Sequence, residues 1–222
     1  MTDTIYTGIE DDRRYRGEHA DVTFNVKRCI HAQECVKGLK TVFNRNARPW
    51  IFPDGAPVDE LQEVILRCPS GALHIIRKDE GEGEALPAQN TVILWDDGPL
   101  QVRGKLTIQA THVNIQNETR ATLCRCGGSQ NKPFCDNAHH ENGFTAASPA
   151  PLEPHELSHP EVPLSIQVEP NGPYVFEGPV EVRNQAGDVI FRGENTCFCR
   201  CGHSHTKPFC DGTHDKIHFQ AE

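Results

Sequence analysis

The chain has 222 residues, with 31 acidic against 22 basic side chains and a formal charge of −9. That balance argues against nucleic acid as a main partner and suits docking onto a basic protein surface, or plain solubility. At 36% hydrophobic content the expected cores are thin, so two small domains, or one of moderate size, need support beyond apolar burial. No apolar stretch has the length to span a bilayer, and the opening MTDTIYTGIEDDRRYRGEH is too polar to read as a secretory signal. A cytoplasmic protein with no membrane partner is therefore expected, its ten cysteines reduced rather than paired as disulfides.

In chain order, Val22, Phe24 and Val26 alternate with polar residues and predict a strand over 20–27 that leads to Cys29. Leu61, Val64 and Ile65 predict a short helix over 59–67 that leads to Cys68. The runs Arg28-Cys29-Ile30-His31-Ala32-Gln33-Glu34-Cys35 and Cys68-Pro69-Ser70-Gly71-Ala72-Leu73 resemble a single-cluster bacterial ferredoxin. A full loop of that kind has a cysteine where Ala32 stands. The resemblance implies Cys29, Cys35 and Cys68 as ligands of a [3Fe-4S] cluster. The alternative is a [4Fe-4S] cluster with a foreign fourth ligand, for which His31 is the nearest candidate and a plain surface residue the simpler reading. The acidic, Gly-containing stretch 78–87 reads as a solvated linker that ends a ferredoxin-like domain over 1–80.

The remainder is an internal repeat. Asp97-Gly98-Pro99-Leu100 matches Asn171-Gly172-Pro173-Tyr174 at an offset of 74, and the cysteines downstream match at 75. Each copy reads as turn, alternating strands, cysteine loop and short helix: a first unit over 88–145, a Pro-rich connector over 146–163 with solvated histidines, and a second unit over 164–222.

Each copy carries Cys-x-Cys, a third Cys nine residues on, and His four residues after that: Cys124, Cys126, Cys135 and His139, then Cys199, Cys201, Cys210 and His214. Three thiolates and an imidazole suit either a closed zinc site or a small iron-sulfur cluster. Cys-x-Cys is expected to splay its sulfurs, which favours a diiron unit. With Ser129 and Ser204, Pro133 and Pro208, and Asp136 and Asp211 in register, the pattern resembles the CDGSH iron-sulfur family. The resemblance implies that these eight residues hold two [2Fe-2S] clusters. Asn137 stands where that family has Gly, and Asn readily accepts the left-handed backbone such a turn requires. Gly127, Gly128 and Gly202 are expected to admit backbone close to the inorganic sulfides, the serine hydroxyls to donate to sulfur, and the aspartates to cap the short helices. Cys197 is expected as a small buried side chain.

The fold class expected is α+β: a small ferredoxin-like domain, then two mainly-β units forming an intramolecular pseudo-two-fold pair in a monomer. No Ser-His-Asp arrangement, phosphate loop or dinucleotide fingerprint is present, so the chain reads as an electron carrier for redox protein partners rather than an enzyme. The alternatives are cluster storage or transfer, redox or pH sensing, and a zinc-stabilised interaction module.

Overall fold

The computed structural model describes residues 12–147, 149, 156, 157 and 159–221. The chain divides into two units, Met1–Ala85 and Leu86–Glu222, and is mostly β with few helices. Among the described residues no helix is long and apolar enough to cross a membrane.

The first unit is a three-stranded antiparallel sheet, β1 (Arg13–Tyr15), β2 (Ala20–Phe24) and β3 (Leu73–Arg77), with β2 central. Helices α1 (Glu34–Gly38) and α2 (Val58–Leu66) lie between β2 and β3 in sequence. Leu61, Val64 and Ile65 of α2 are buried with Val22, Phe43, Ile51 and Ile75 in one core. The strand expected over 20–27 stops at Phe24, and Val26 is exposed. Both faces of β2 are covered, which departs from simple alternation: Asp21 is buried because Arg14 and Lys78 reach it at 2.7 and 2.6 Å. A buried carboxylate is tolerated when it is paired in this way.

The stretch after β3 is not wholly solvated. Glu84 turns back onto the sheet, its carboxylate 3.1 Å from His74 Nδ1 and accepting from the Ile75 N–H at 3.1 Å. Gln62 donates to the Gly83 carbonyl. The acidic composition of this segment hid one side chain with a buried partner.

The second unit holds two long hairpins. Strand β4 (Thr91–Leu94) precedes the first, β5 (Leu100–Ala110) with β6 (Val113–Leu123); β7 (Leu164–Val168) precedes the second, β8 (Tyr174–Arg183) with β9 (Val189–Phe198). Each short strand pairs antiparallel with the first strand of its own hairpin: β4 with β5, and β7 with β8. Each also pairs parallel with the first strand of the other hairpin: β4 with β8, and β7 with β5. Val102, Ile108, Val180 and Val182 line the shared core and are fully buried. The offset changes from 74 to 75 between the hairpin arms because the second turn, 184–188, is three residues longer than the first, 111–112, while each strand beside it is one residue shorter. Of the Pro-rich connector, residues 148, 150–155 and 158 lie outside the described ones; His155 is among them, and His159 is exposed.

Candidate metal centres

Strand β6 ends at Leu123 and hands the chain directly to Cys124. The loop that follows folds back onto the strand: the Cys124 N–H donates to Pro133 O at 2.9 Å, and the Cys135 N–H to Thr122 O at 2.9 Å. The second copy repeats this, with Cys199 N–H to Pro208 O at 2.8 Å and Cys210 N–H to Cys197 O at 2.9 Å. Two backbone bonds thus place the third cysteine of each set beside the first.

The sulfurs of Cys-x-Cys converge rather than splay: Cys124 and Cys126 Sγ are 3.7 Å apart, as are those of Cys199 and Cys201. The residue between them explains it. Arg125 is buried and donates to Gly98 O at 2.9 Å and Trp95 O at 2.7 Å; Arg200 donates to Gly172 O at 2.8 Å and Glu169 O at 2.6 Å. Each guanidinium leaves on the side of the β4–β5 or β7–β8 turn, so the chain has turned out of the strand and both flanking sulfurs face the other way. The sequence reading assigned these arginines no role, although their identical place in both repeats was the available signal.

His139 presents Nδ1 to Cys135 Sγ at 3.6 Å. Burial, then neighbouring His140, pushes its pKa down and favours the neutral ring that a metal takes. His214 Nδ1 is buried and has no hydrogen-bond partner, the Asp215 carboxylate at 3.2 Å being off line. Backbone N–H groups point at sulfur, Gly128 to Cys126 at 3.4 Å and Asn137 to Cys135 at 3.3 Å, as suits thiolates. The contact within each close pair lowers one thiol, Cys126 or Cys199, and raises its partner, Cys124 or Cys201.

Two smaller expectations are corrected, and two glycines gain a backbone cause. The Ser129 hydroxyl donates to Phe134 O at 2.7 Å and accepts from Asn131 N–H, and Ser204 does the same with Phe209 O and Thr206 N–H. These hydroxyls brace the loop and do not serve sulfur. Gly127 (φ 74) and Gly202 (φ 84) are called for by backbone: a Cβ at 127 would stand 2.5 Å from Cys201 O, and one at 202 would stand 2.7 Å from Cys126 O. Cys197 is exposed, although Thr122 at the matching place in β6 is buried.

Asp136 accepts from Gln130 N–H at 2.8 Å and Ala138 N–H at 3.1 Å, and Asp211 from His205 N–H at 2.8 Å and Thr213 N–H at 3.0 Å. Each carboxylate ties the cysteine loop to the short helix carrying His139 (Ala138–His140) or His214 (α3, Thr213–Lys216). Asn137 adopts φ 72 where Gly212 has φ 80.

In the first unit Cys29, Cys35 and Cys68 border one pocket with Phe24, Trp50 and Leu73. Arg28, which is buried, donates to Ser70 O at 2.9 Å and so ties the loop of Cys29 to that of Cys68. Left-handed backbone at His31 (φ 56) and Gln33 (φ 66) wraps the chain between the first two cysteines. His31 is exposed, its Nδ1 3.9 Å from Cys29 Sγ. Burial pushes the Cys35 thiol up to about 11 and raises that of Cys29. All ten cysteines are free thiols. The donor chemistry of the three sets, thiolates with an occasional imidazole, fits iron.

Residues 15–78 match a family model described as "Divergent 4Fe-4S mono-cluster", and residues 97–140 and 171–215 each match "Iron-binding zinc finger CDGSH type". The chain is 48% identical over 61 residues to "Uncharacterized protein YjdI" of Escherichia coli strain K12, a match covering 28% of this chain and 80% of that protein. The same figures hold for YjdI of Escherichia coli O157:H7. The chain belongs to the CDGSH iron-binding family, carrying two tandem CDGSH units behind an N-terminal ferredoxin-like mono-cluster domain.

Proposed function

We propose that the chain is an electron carrier with two [2Fe-2S] clusters, one on Cys124, Cys126, Cys135 and His139, the other on Cys199, Cys201, Cys210 and His214. The observation that carries this reading is the grouping of the donors in twos. Two thiolates on one tetrahedral ion with metal–sulfur bonds of about 2.3 Å stand about 3.8 Å apart, and the Cys-x-Cys sulfurs stand 3.7 Å apart. Cys135 and His139, 3.6 Å apart, suit a second ion.

In the first unit, Cys29, Cys35 and Cys68 are the proposed ligands of a [3Fe-4S] cluster, since Ala32 offers no donor atom. A fourth iron would take its ligand from His31 or solvent. The reciprocal pairing of β4 and β7 with the two hairpins supports a pseudo-two-fold pair of units within one chain.

When bound, such clusters accept and release single electrons. His139 and His214 replace a charged thiolate with a neutral ring, which leaves the site less negative and favours the reduced state. Their test is substitution. His139→Cys and His214→Cys should keep the iron and move that site's midpoint potential downward, toward the roughly −400 mV of all-Cys plant-type ferredoxins. A variant that keeps its iron at an unchanged potential contradicts the assignment.

A further inference from the structure

Leu100 and Tyr174 hold the same place in the two repeats. Each opens the first strand of its hairpin opposite the residue just ahead of a Cys-x-Cys pair: Leu100 faces Leu123, and Tyr174 faces Phe198. Both are fully buried. The Tyr174 hydroxyl nonetheless serves the other repeat, lying 2.7 Å from Cys124 O and 2.9 Å from Pro133 O. Those carbonyls sit where the first cysteine loop closes on itself, since Pro133 O also accepts from the Cys124 N–H. At the second site the matching closure joins Cys199 N–H to Pro208 O, and Leu100 has no polar atom to offer it.

The third cysteine and the histidine of each set differ in the same sense, while Cys126 is half-buried and its counterpart Cys201 is buried. Cys135 and His139 are 2% and 7% exposed, with the His140 ring 4.1 Å from that of His139. Cys210 is half-buried, and the His214 side chain is 15% exposed beside a solvent-facing Asp215.

We infer that the two sites are inequivalent: Tyr174, carried by the second repeat, is a positioning residue for the first site, and the second site releases its cluster first. The inference rests on the reading that both sites hold [2Fe-2S] clusters. Opening the first loop breaks a hydrogen bond in a dry core, where such bonds are strong and their loss leaves carbonyls unpaired. Opening the second breaks no such bond.

Two double variants separate the sites. Cys199→Ser with Cys201→Ser leaves the first, and Cys124→Ser with Cys126→Ser leaves the second. Each is loaded and exposed to an iron chelator, and samples frozen at intervals are reduced and read by the EPR signal of a [2Fe-2S] centre. The first-site protein should release more slowly. Adding Tyr174→Phe should speed its release about three- to tenfold, the worth of one lost buried hydrogen bond, and leave the second-site protein's rate unchanged although residue 174 belongs to the second repeat. Equal speeding of both proteins, or no change in the first, overturns the inference. Where a double variant does not fold, the unmodified chain serves: its release should be biphasic, with Tyr174→Phe speeding the slow phase toward the fast one. A single phase, or an unaltered slow phase in Tyr174→Phe, overturns it equally. An unmodified chain loaded with zinc and giving no such EPR signal overturns the cluster reading itself, a result distinct from any of these.

Discussion

Gly127 lies so close to the carbonyl oxygen of Cys201 that a Cβ there would stand 2.5 Å from it, and Gly202 meets the carbonyl of Cys126 in the same way. The two cysteine loops therefore lean on one another, backbone against backbone, and each needs its partner's glycine. Gly127→Ala or Gly202→Ala adds a side chain to a left-handed residue and drives it into a carbonyl that has no room to move. A loss of stability of about 1–3 kcal/mol is expected, with lower iron content at both sites because each loop shifts the other. Gly187→Ala is the control: its φ is 97 but nothing lies within 4 Å, so strain without collision is all it adds. Thermal melts and iron counts on the three variants check this, and equal effects in all three would contradict it.

Arg125 and Arg200 set the direction of the Cys-x-Cys turn through carbonyls of the preceding strand connections. Arg200→Met removes bonds to Gly172 O, Glu169 O and Ala221 O, of which Glu169 O keeps the Gly172 N–H. The expected cost is on the order of 3 kcal/mol, read from the denaturant midpoint. Arg200→Lys should not rescue it, because an ammonium cannot span the guanidinium's separated partners.

Glu181 is buried between Arg183 and Arg192. Burial works to raise its pKa, but hydrogen bonds from Arg192 and Arg183 outweigh that and hold it below the ordinary carboxylate value. A carboxylate with a lowered folded pKa adds stability that is fully present above its unfolded pKa and is lost as pH falls through the folded one. The stability gap between the native chain and Glu181→Gln should therefore be constant near neutrality and shrink in acid, below about pH 4.5. A gap that grows on acidification would have the wrong sign.

Metal loading should release protons. Without metal, burial pushes the Cys35 and Cys135 thiols up to about 11, so they carry protons at neutral pH, whereas iron binds the thiolate. Reconstitution in weak buffer with a pH indicator should show acid release and an uptake that weakens steeply toward low pH. Uptake without proton release would contradict the assignment of these thiols as ligands.

The spacing of Cys124, Cys126, Cys135 and His139, repeated 75 residues later, was legible because metal ligands must be particular residue types at particular intervals. Asn137 in a left-handed turn was legible for a similar local reason. The contacts that cross between repeats were not. The approach of Gly127 to Cys201, the reach of Tyr174 to Cys124 and the parallel pairing of β4 with β8 depend on how two hairpins meet, and no local pattern encodes that. Glu84 was missed because an acidic run resembles a solvated linker until one carboxylate finds His74. Cys197 is exposed where its counterpart Thr122 is buried, a difference between the repeats that sequence alternation does not reveal.

The three cysteine sets are proposed to hold one [3Fe-4S] and two [2Fe-2S] clusters. Low-temperature EPR of anaerobically purified protein, as isolated and after dithionite, with iron, sulfide and zinc counts on the same sample, tests it most directly. A [3Fe-4S] signal before reduction, [2Fe-2S] signals after it, and about seven irons per chain, three from one cluster and two from each of the others, are expected. A colourless, EPR-silent chain loaded with zinc would contradict it.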